Sequence, residues 1–189
     1  MVPLSLYLHI PFCRHRCGYC DFNTYAGLDA LIPQYVTALC AEISYLGERL
    51  EAPPEVHTVF LGGGTPSLLP LPEMEQLVAA LSRYFAIHPQ AEISLEANPG
   101  TVSLEYLRGL RSLGFNRLSL GMQSANPQEL RLLEREHGYP EVIQAVSAAR
   151  RAGFDNLNLD LIYGLPYQEL DSWRRSPDSA GGRSRRGTR

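Results

Sequence analysis

Short apolar runs alternate along this chain with longer stretches in which apolar residues recur every three or four positions. Five runs read as buried strands, each ended by a glycine or a polar residue: Leu6-Tyr7-Leu8-His9-Ile10, Thr58-Val59-Phe60-Leu61, Ile93-Ser94-Leu95-Glu96, Arg117-Leu118-Ser119-Leu120 and Leu157-Asn158-Leu159-Asp160-Leu161-Ile162. The segments between them carry helical stripes. Val36, Leu39, Cys40, Ile43 and Leu46 follow Pro33, and Met74, Leu77, Val78, Leu81 and Phe85 follow Pro72, a proline suited to a first turn. Leu104, Leu107 and Leu110 follow Ser103, a good N-cap, and Val142, Val146 and Ala149 follow Pro140. Gly114 and Gly153 stand where a glycine closes the last two helices.

Those two helix ends belong to a repeat. Leu113-Gly-Phe-Asn-Arg-Leu-Ser-Leu-Gly121 aligns with Ala152-Gly-Phe-Asp-Asn-Leu-Asn-Leu-Asp160 at an offset of 39 residues. Strands alternating with helices predict an α/β fold with a parallel sheet, and right-handed crossovers bring every strand's C-terminal end to one rim. Ligands of such folds bind at that rim.

Polar groups recur at the predicted rim: the run Gly62-Gly63-Gly64-Thr65-Pro66 after the second strand, Glu96 ending the third, Gln123 just past the fourth and Asp160 within the fifth. Glycines leave backbone N–H and C=O groups open to a small zwitterionic or sugar-bearing ligand, although a tight turn explains the run equally well. A carboxylate in an apolar strand is costly unless it faces a polar site, with a salt bridge or a helix cap as the plainer explanation for Glu96 and Asp160. Arg135 lies in Glu134-Arg135-Glu136-His137, which also reads as a solvated face.

The first strand runs into Cys13, Cys17 and Cys20, spaced CxxxCxxC. That spacing suits three thiolates on a cubane iron–sulfur cluster. Such a cluster normally takes four, so three leave one iron open to a small ligand. Zinc would need a fourth ligand, with His9 or His15 to hand, but structural zinc motifs usually pair CxxC knuckles across a longer span. An odd trio cannot pair internally as disulfides, and the start Met-Val-Pro-Leu-Ser lacks the basic region of a secretory leader. Cys40 lies on its helical stripe and reads as core.

With 189 residues, 44% of them hydrophobic, the chain can bury a core of one domain to one and a half. No apolar run reaches the roughly 18 residues of a membrane span, and the expected compartment is the cytoplasm. The net charge of −3 divides into −8 over residues 1–173 and +5 over residues 174–189. An acidic body argues against nucleic acid as a partner.

Taken together, Tyr7-Leu-His-Ile-Pro-Phe-Cys13, the cysteine motif, Phe60-Leu-Gly-Gly-Gly-Thr-Pro66, Leu95-Glu-Ala-Asn-Pro99, Ser119-Leu-Gly-Met-Gln-Ser124 and Asp160-Leu-Ile-Tyr-Gly-Leu-Pro166 resemble a radical S-adenosylmethionine (SAM) enzyme. More narrowly they resemble the branch that holds oxygen-independent coproporphyrinogen III oxidase and the HemW-type heme chaperone. The oxidase pattern continues CxxxCxxCxC, whereas this chain has Cys20-Asp21-Phe22, as in the chaperone group.

The resemblance implies a partial (β/α)6 TIM-like barrel, of which about five units are present here. It implies a [4Fe-4S] cluster on Cys13, Cys17 and Cys20, with SAM on the open iron. Tyr7 and Tyr19 match SAM-contacting aromatics, Gly63, Gly64 and Thr65 fall on the SAM glycine motif, and Glu96, Gln123, Arg135 and Asp160 fall on polar positions that hold SAM. One electron from a donor would cleave SAM to methionine and a 5′-deoxyadenosyl radical. The oxidase uses that radical to decarboxylate a propionate of its porphyrinogen; the chaperone binds heme and passes it to apoproteins. A cluster-binding fragment without turnover is the third reading.

The resemblance ends near Trp173. Residues 1–173 therefore read as the SAM core domain. Residues 174–189, rich in Arg, Gly and Ser, read as a disordered tail unable to continue as a helix through its proline and Gly181-Gly182. The abrupt switch has the look of translation in a wrong frame, and the family's C-terminal domain is expected to be absent.

Overall fold

The computed structural model describes residues 4–179, with side chains through Ser176. Five parallel strands form the main sheet in the order β1 (Leu4–Ile10), β4 (Glu55–Gly63), β5 (Ala86–Ala97), β6 (Arg117–Gln123) and β7 (Asn156–Leu161). Helices α1 (Ile32–Gly47), α2 (Leu71–Tyr84), α3 (Leu104–Ser112) and α5 (Tyr139–Arg151) make the crossovers. The result is an α/β fold with a parallel sheet, as the alternation of patterns predicts, and a partial TIM-like barrel, as the resemblance implies. Between β1 and α1 the cysteine loop is pinned by the two-residue pair β2 (Phe12–Cys13) and β3 (Tyr25–Ala26), which sequence patterning did not reveal.

Register explains why this sheet has one apolar and one polar face. Leu8, Leu61, Leu95, Leu118 and Leu157 stand opposite one another across all five strands. Alternate residues of a strand point to opposite faces, so the neighbouring row is Tyr7, Phe60, Ser94, Arg117 and Asn156, and the row beyond contains Glu96, Ser119 and Asn158. The leucine face joins Val36 and Ile43 of α1, Met74, Leu77 and Leu81 of α2, Leu107 and Leu110 of α3 and Ala145 and Ala149 of α5 in one core. At about 25 cal/mol per Å2 of apolar area removed from water, this face dominates the fold's stability. The polar face is left to build a site.

The repeat is itself a register. The 39-residue offset that superposes the two motifs also separates the β6–β7 partners Arg117 and Asn156, Leu118 and Leu157, Ser119 and Asn158, and Leu120 and Leu159. Each copy closes its helix with a positive-φ glycine, Gly114 or Gly153, and then buries a phenylalanine, Phe115 or Phe154. An arginine, Arg111 or Arg150, donates to that phenylalanine's carbonyl at 2.6 or 3.0 Å.

Several sequence expectations are corrected. Leu46 is exposed, and the buried line of α1 is Ile32, Val36 and Ile43, with Leu39 and Cys40 packed against the core. The helix α4 (Pro127–Leu132) is short and went unforeseen. The chain does not lose its structure at Trp173: α6 spans Leu170–Ser179, although Pro177 forfeits one backbone donor. The helix is held because Ser172 and Ser176, one turn apart, bond to the segment after β6. The Gly181-Gly182 pair and the rest of the basic tail lie outside the described residues.

Candidate functional site

Above the C-terminal ends of the strands lies a cavity of about 340 Å3. Its wall contains Cys13, Cys17 and Cys20 together with Glu96, Gln123, Arg135 and Asp160, and with Gly63, Gly64, Thr65 and Tyr19. Of the residues matched to cluster or SAM contacts, Tyr7 does not line it. Its hydroxyl donates to His9 Nδ1 at 3.0 Å and its ring stacks on Phe60.

Each cluster cysteine has a polar neighbour. Thr65 Oγ1 donates to Cys13 Sγ at 3.6 Å, Arg135 Nη1 to Cys17 Sγ at 3.6 Å, and Thr24 Oγ1 lies 3.7 Å from Cys20 Sγ. Burial pushes the Cys13 thiol pKa up against the Thr65 hydrogen bond, and Cys20 and Cys17 add to the rise. The three sulfurs thus feel one another, and binding a metal here releases protons. Among the described residues, no three Cys, His, Asp or Glu side chains are grouped closely enough to hold a single metal ion. Both ring nitrogens of His9 are engaged, with Tyr7 and with the Asn23 carbonyl, and His15 bonds to Glu134.

The glycine loop is more than a tight turn. Gly64 donates to the Ile10 carbonyl, and a Cβ there would lie 2.6 Å from Phe12 O. Gly63 has φ +114° and lies against the His9 ring, and its amide donates to Glu96 Oε2 at 3.1 Å. Loop, cysteine strand and Glu96 are thereby locked together. Burial raises the Glu96 pKa, the Gly63 bond opposes this, and nearby Asp160 adds to it.

Among the described residues, Asp160 has no ion-pair partner and caps no helix. Its carboxylate accepts from Ser119 Oγ at 3.0 Å and Asn158 Nδ2 at 2.6 Å. The charged run is split by side: Glu134 and Glu136 are exposed, while His137 is buried and Arg135 turns inward. Arg135 Nη2 donates to Gly121 O at 3.0 Å and Nη1 approaches Tyr19 OH at 3.4 Å. Arg135 Nε is buried and has no partner among the described residues. Thiols, a guanidinium and two carboxylates around one hollow, beside glycines that carry no side chain, suit a cluster together with a zwitterionic, ribose-bearing ligand.

Sequence patterning missed Thr24, Asn98, Ser119 and Gly121 on the same wall. Ser119 was legible in principle, because it shares a face with Glu96 by alternation and register. Thr24 depends on how the cysteine loop folds back, which no local pattern records.

The radical SAM superfamily profile matches residues 7–176. The chain belongs to the radical SAM superfamily. Membership implies a [4Fe-4S] cluster and S-adenosylmethionine, and the cavity's residues fit both. This radical SAM chain is 45% identical over 181 residues to the heme chaperone HemW of Mycobacterium tuberculosis, covering 94% of itself and 46% of that protein. It is 38% identical to the oxygen-independent coproporphyrinogen III oxidase of Bradyrhizobium diazoefficiens, covering 91% of itself and 39% of the oxidase. The solved coproporphyrinogen III oxidase of Escherichia coli, a radical SAM enzyme, superposes with a TM-score of 0.87 at 38% identity, over 94% of this chain and 41% of that one. The chain thus spans less than half the length of these relatives. No helix among the described residues is long and apolar enough to cross a membrane.

Proposed function

We propose that this chain carries the cluster- and SAM-binding half of a HemW-type heme chaperone. The observation that carries the reading is the convergence of Cys13, Cys17 and Cys20 with Gly63, Gly64, Thr65, Glu96, Gln123, Arg135 and Asp160 on one cavity. Cys13, Cys17 and Cys20 would hold three irons, and the remaining iron and SAM would meet in the hollow between them and the strand ends. When bound, the pair supplies one-electron reductive cleavage of a sulfonium, fed by an external electron donor.

The chain's own residues bind and orient. Arg135, whose side chain lines the cavity, suits the amino-acid carboxylate of SAM, and Glu96 suits its ammonium group. Asp160 and Gln123 suit ribose hydroxyls, and Asp160 is already oriented by Ser119 and Asn158. Tyr19 offers an aromatic edge at the cavity wall. Heme is the proposed cargo. Support for the chaperone over the oxidase comes from the higher identity to HemW and from Phe22, two positions after Cys20, where the oxidase pattern has a further cysteine.

The oxidase is the second reading, favoured by the 0.87 superposition. Anaerobic reconstitution separates the two. Close to four irons and four sulfides per chain, with an EPR signal that changes on adding SAM, are expected under both. Hemin binding without decarboxylation of coproporphyrinogen III selects the chaperone, and carbon dioxide release selects the oxidase. A cluster whose EPR signal ignores SAM overturns the proposal.

A further inference from the structure

Gln123 is held in an unusual conformation. Its φ is +65°, and the Ser124 amide donates to the Met122 carbonyl at 2.8 Å, which makes Gln123 the centre of a γ-turn. With positive φ this turn is rare and strained, and a non-glycine residue stays in it only when its surroundings hold it there. Gln123 lines the cofactor cavity, and its carbonyl accepts from the amide of Ile162, which also lines it. The turn therefore sets two parts of the wall.

The restraint lies on the far side of the turn, in a knot built on Glu129. This glutamate is buried, outside the cavity lining. Glu129 Oε2 accepts from Ser124 Oγ at 2.6 Å and from Gln168 Nε2 at 3.0 Å, and Oε1 accepts from Ser172 Oγ. Ser176 Oγ accepts from the Ala125 amide at 3.0 Å, and Ser124 Oγ from the Asn126 amide at 2.9 Å. One carboxylate thus ties the residue after Gln123 to α4, to the loop after β7 and to α6. A buried carboxylate is tolerated only with such full pairing.

We infer that Glu129 is a positioning residue for the cofactor: through Ser124 it holds the strained turn that presents Gln123 and Ile162 to the cavity, and it couples α6 to cofactor affinity. The inference rests on the reading that this cavity takes SAM.

The test is a double-mutant cycle between Glu129 and Gln123, read as SAM affinity of the cluster-loaded full chain and as backbone amide exchange of the chain without cofactors. Glu129→Ala is expected to weaken SAM about tenfold and to speed exchange of the Ile162 amide at least tenfold, with the Leu95 amide in the centre of β5 unchanged. Gln123→Ala combined with Glu129→Ala is expected to lose less SAM affinity than the two single losses combined, because residues acting through one another are not additive. Gln123→Gly relieves the strain, so Glu129→Ala should cost less thermal stability in that background. Where Glu129→Ala does not fold, Ser176→Ala, which removes one strand of the knot, is expected to shift both readouts the same way by about threefold. Wild-type SAM affinity in Glu129→Ala, strictly additive effects or unchanged Ile162 exchange each overturn the inference. A wild-type chain that holds its cluster but binds no SAM refutes the proposed function instead, and Ile162 exchange still decides the role of Glu129.

Discussion

The amide of Gly63 and the carboxylate of Glu96 meet at 3.1 Å, 33 residues apart in sequence, and join the glycine loop to the end of β5 at the point where cofactor and protein would touch. Glu96→Gln keeps an acceptor for that amide while removing the charge. Cluster content should stay near wild type and SAM affinity should fall at least tenfold, measured by iron and sulfide analysis beside SAM titration. Glu96→Ala leaves the amide without its acceptor as well and should cost about 1–3 kcal/mol of stability.

Gly64 makes the closest backbone approach in the loop. A Cβ there would stand 2.6 Å from Phe12 O and 2.9 Å from Ile10 O, atoms of the segment that delivers Cys13. Neither atom belongs to a flexible side chain. Gly64→Ala should therefore push the cysteine loop away and lower reconstituted iron to less than half of wild type. Gly100→Ala meets only Asn98 Oδ1, at 4.0 Å, and should load iron normally.

The four cysteines divide three to one. Cys13, Cys17 and Cys20 border the cavity, whereas Cys40 packs against the core under α1, where burial raises its thiol pKa. Replacing any of the three by alanine should abolish the visible absorbance of the reconstituted protein. Cys40→Ala should keep the full absorbance and cost at most about 1 kcal/mol of stability through lost packing.

Much of this was legible before folding because the governing patterns are short. Strand alternation places Ser119 and Glu96 on one face, Gly114 and Gly153 mark two helix ends, and the 39-residue repeat turns out to be the β6–β7 register. The cavity residues sit at strand ends, which topology alone gathers on one rim. What escaped depends on distant partners. Glu129 and Ser176 look like ordinary surface residues of polar segments, and only their meeting buries them. The helicity of residues 174–179 was hidden for the same reason, since composition reports a segment's own preferences and not the serine contacts that stabilise it.

His137 gives the chain an acid-sensitive joint that a pH series isolates. The residue is 5% exposed, its Nε2 donates to Met122 O at 3.2 Å, and its Nδ1 has no partner among the described residues. Burial, helped by the nearby Arg135 charge and opposed by the Met122 bond and Glu141, pushes its pKa down from 6.5 to about 4. On acidification the unfolded chain takes up this proton first, so stability is unaffected by His137 above pH 6.5 and falls as pH drops toward 4. The loss amounts to about 3 kcal/mol when complete. Glu129 acts in a different window. Burial pushes its carboxyl up, but the bonds from Ser124, Ser172, Gln168 and Asn126 outweigh this and hold it below 4.5, so its contribution fades only at lower pH. His137→Gln retains a donor for Met122 O and cannot titrate. Urea denaturation at pH 7.5 and pH 5 should show wild type losing about 2 kcal/mol more than His137→Gln over that interval. Equal losses in the two proteins would mean that the ring is protonated in the folded chain and that the Met122 contact is made by an imidazolium.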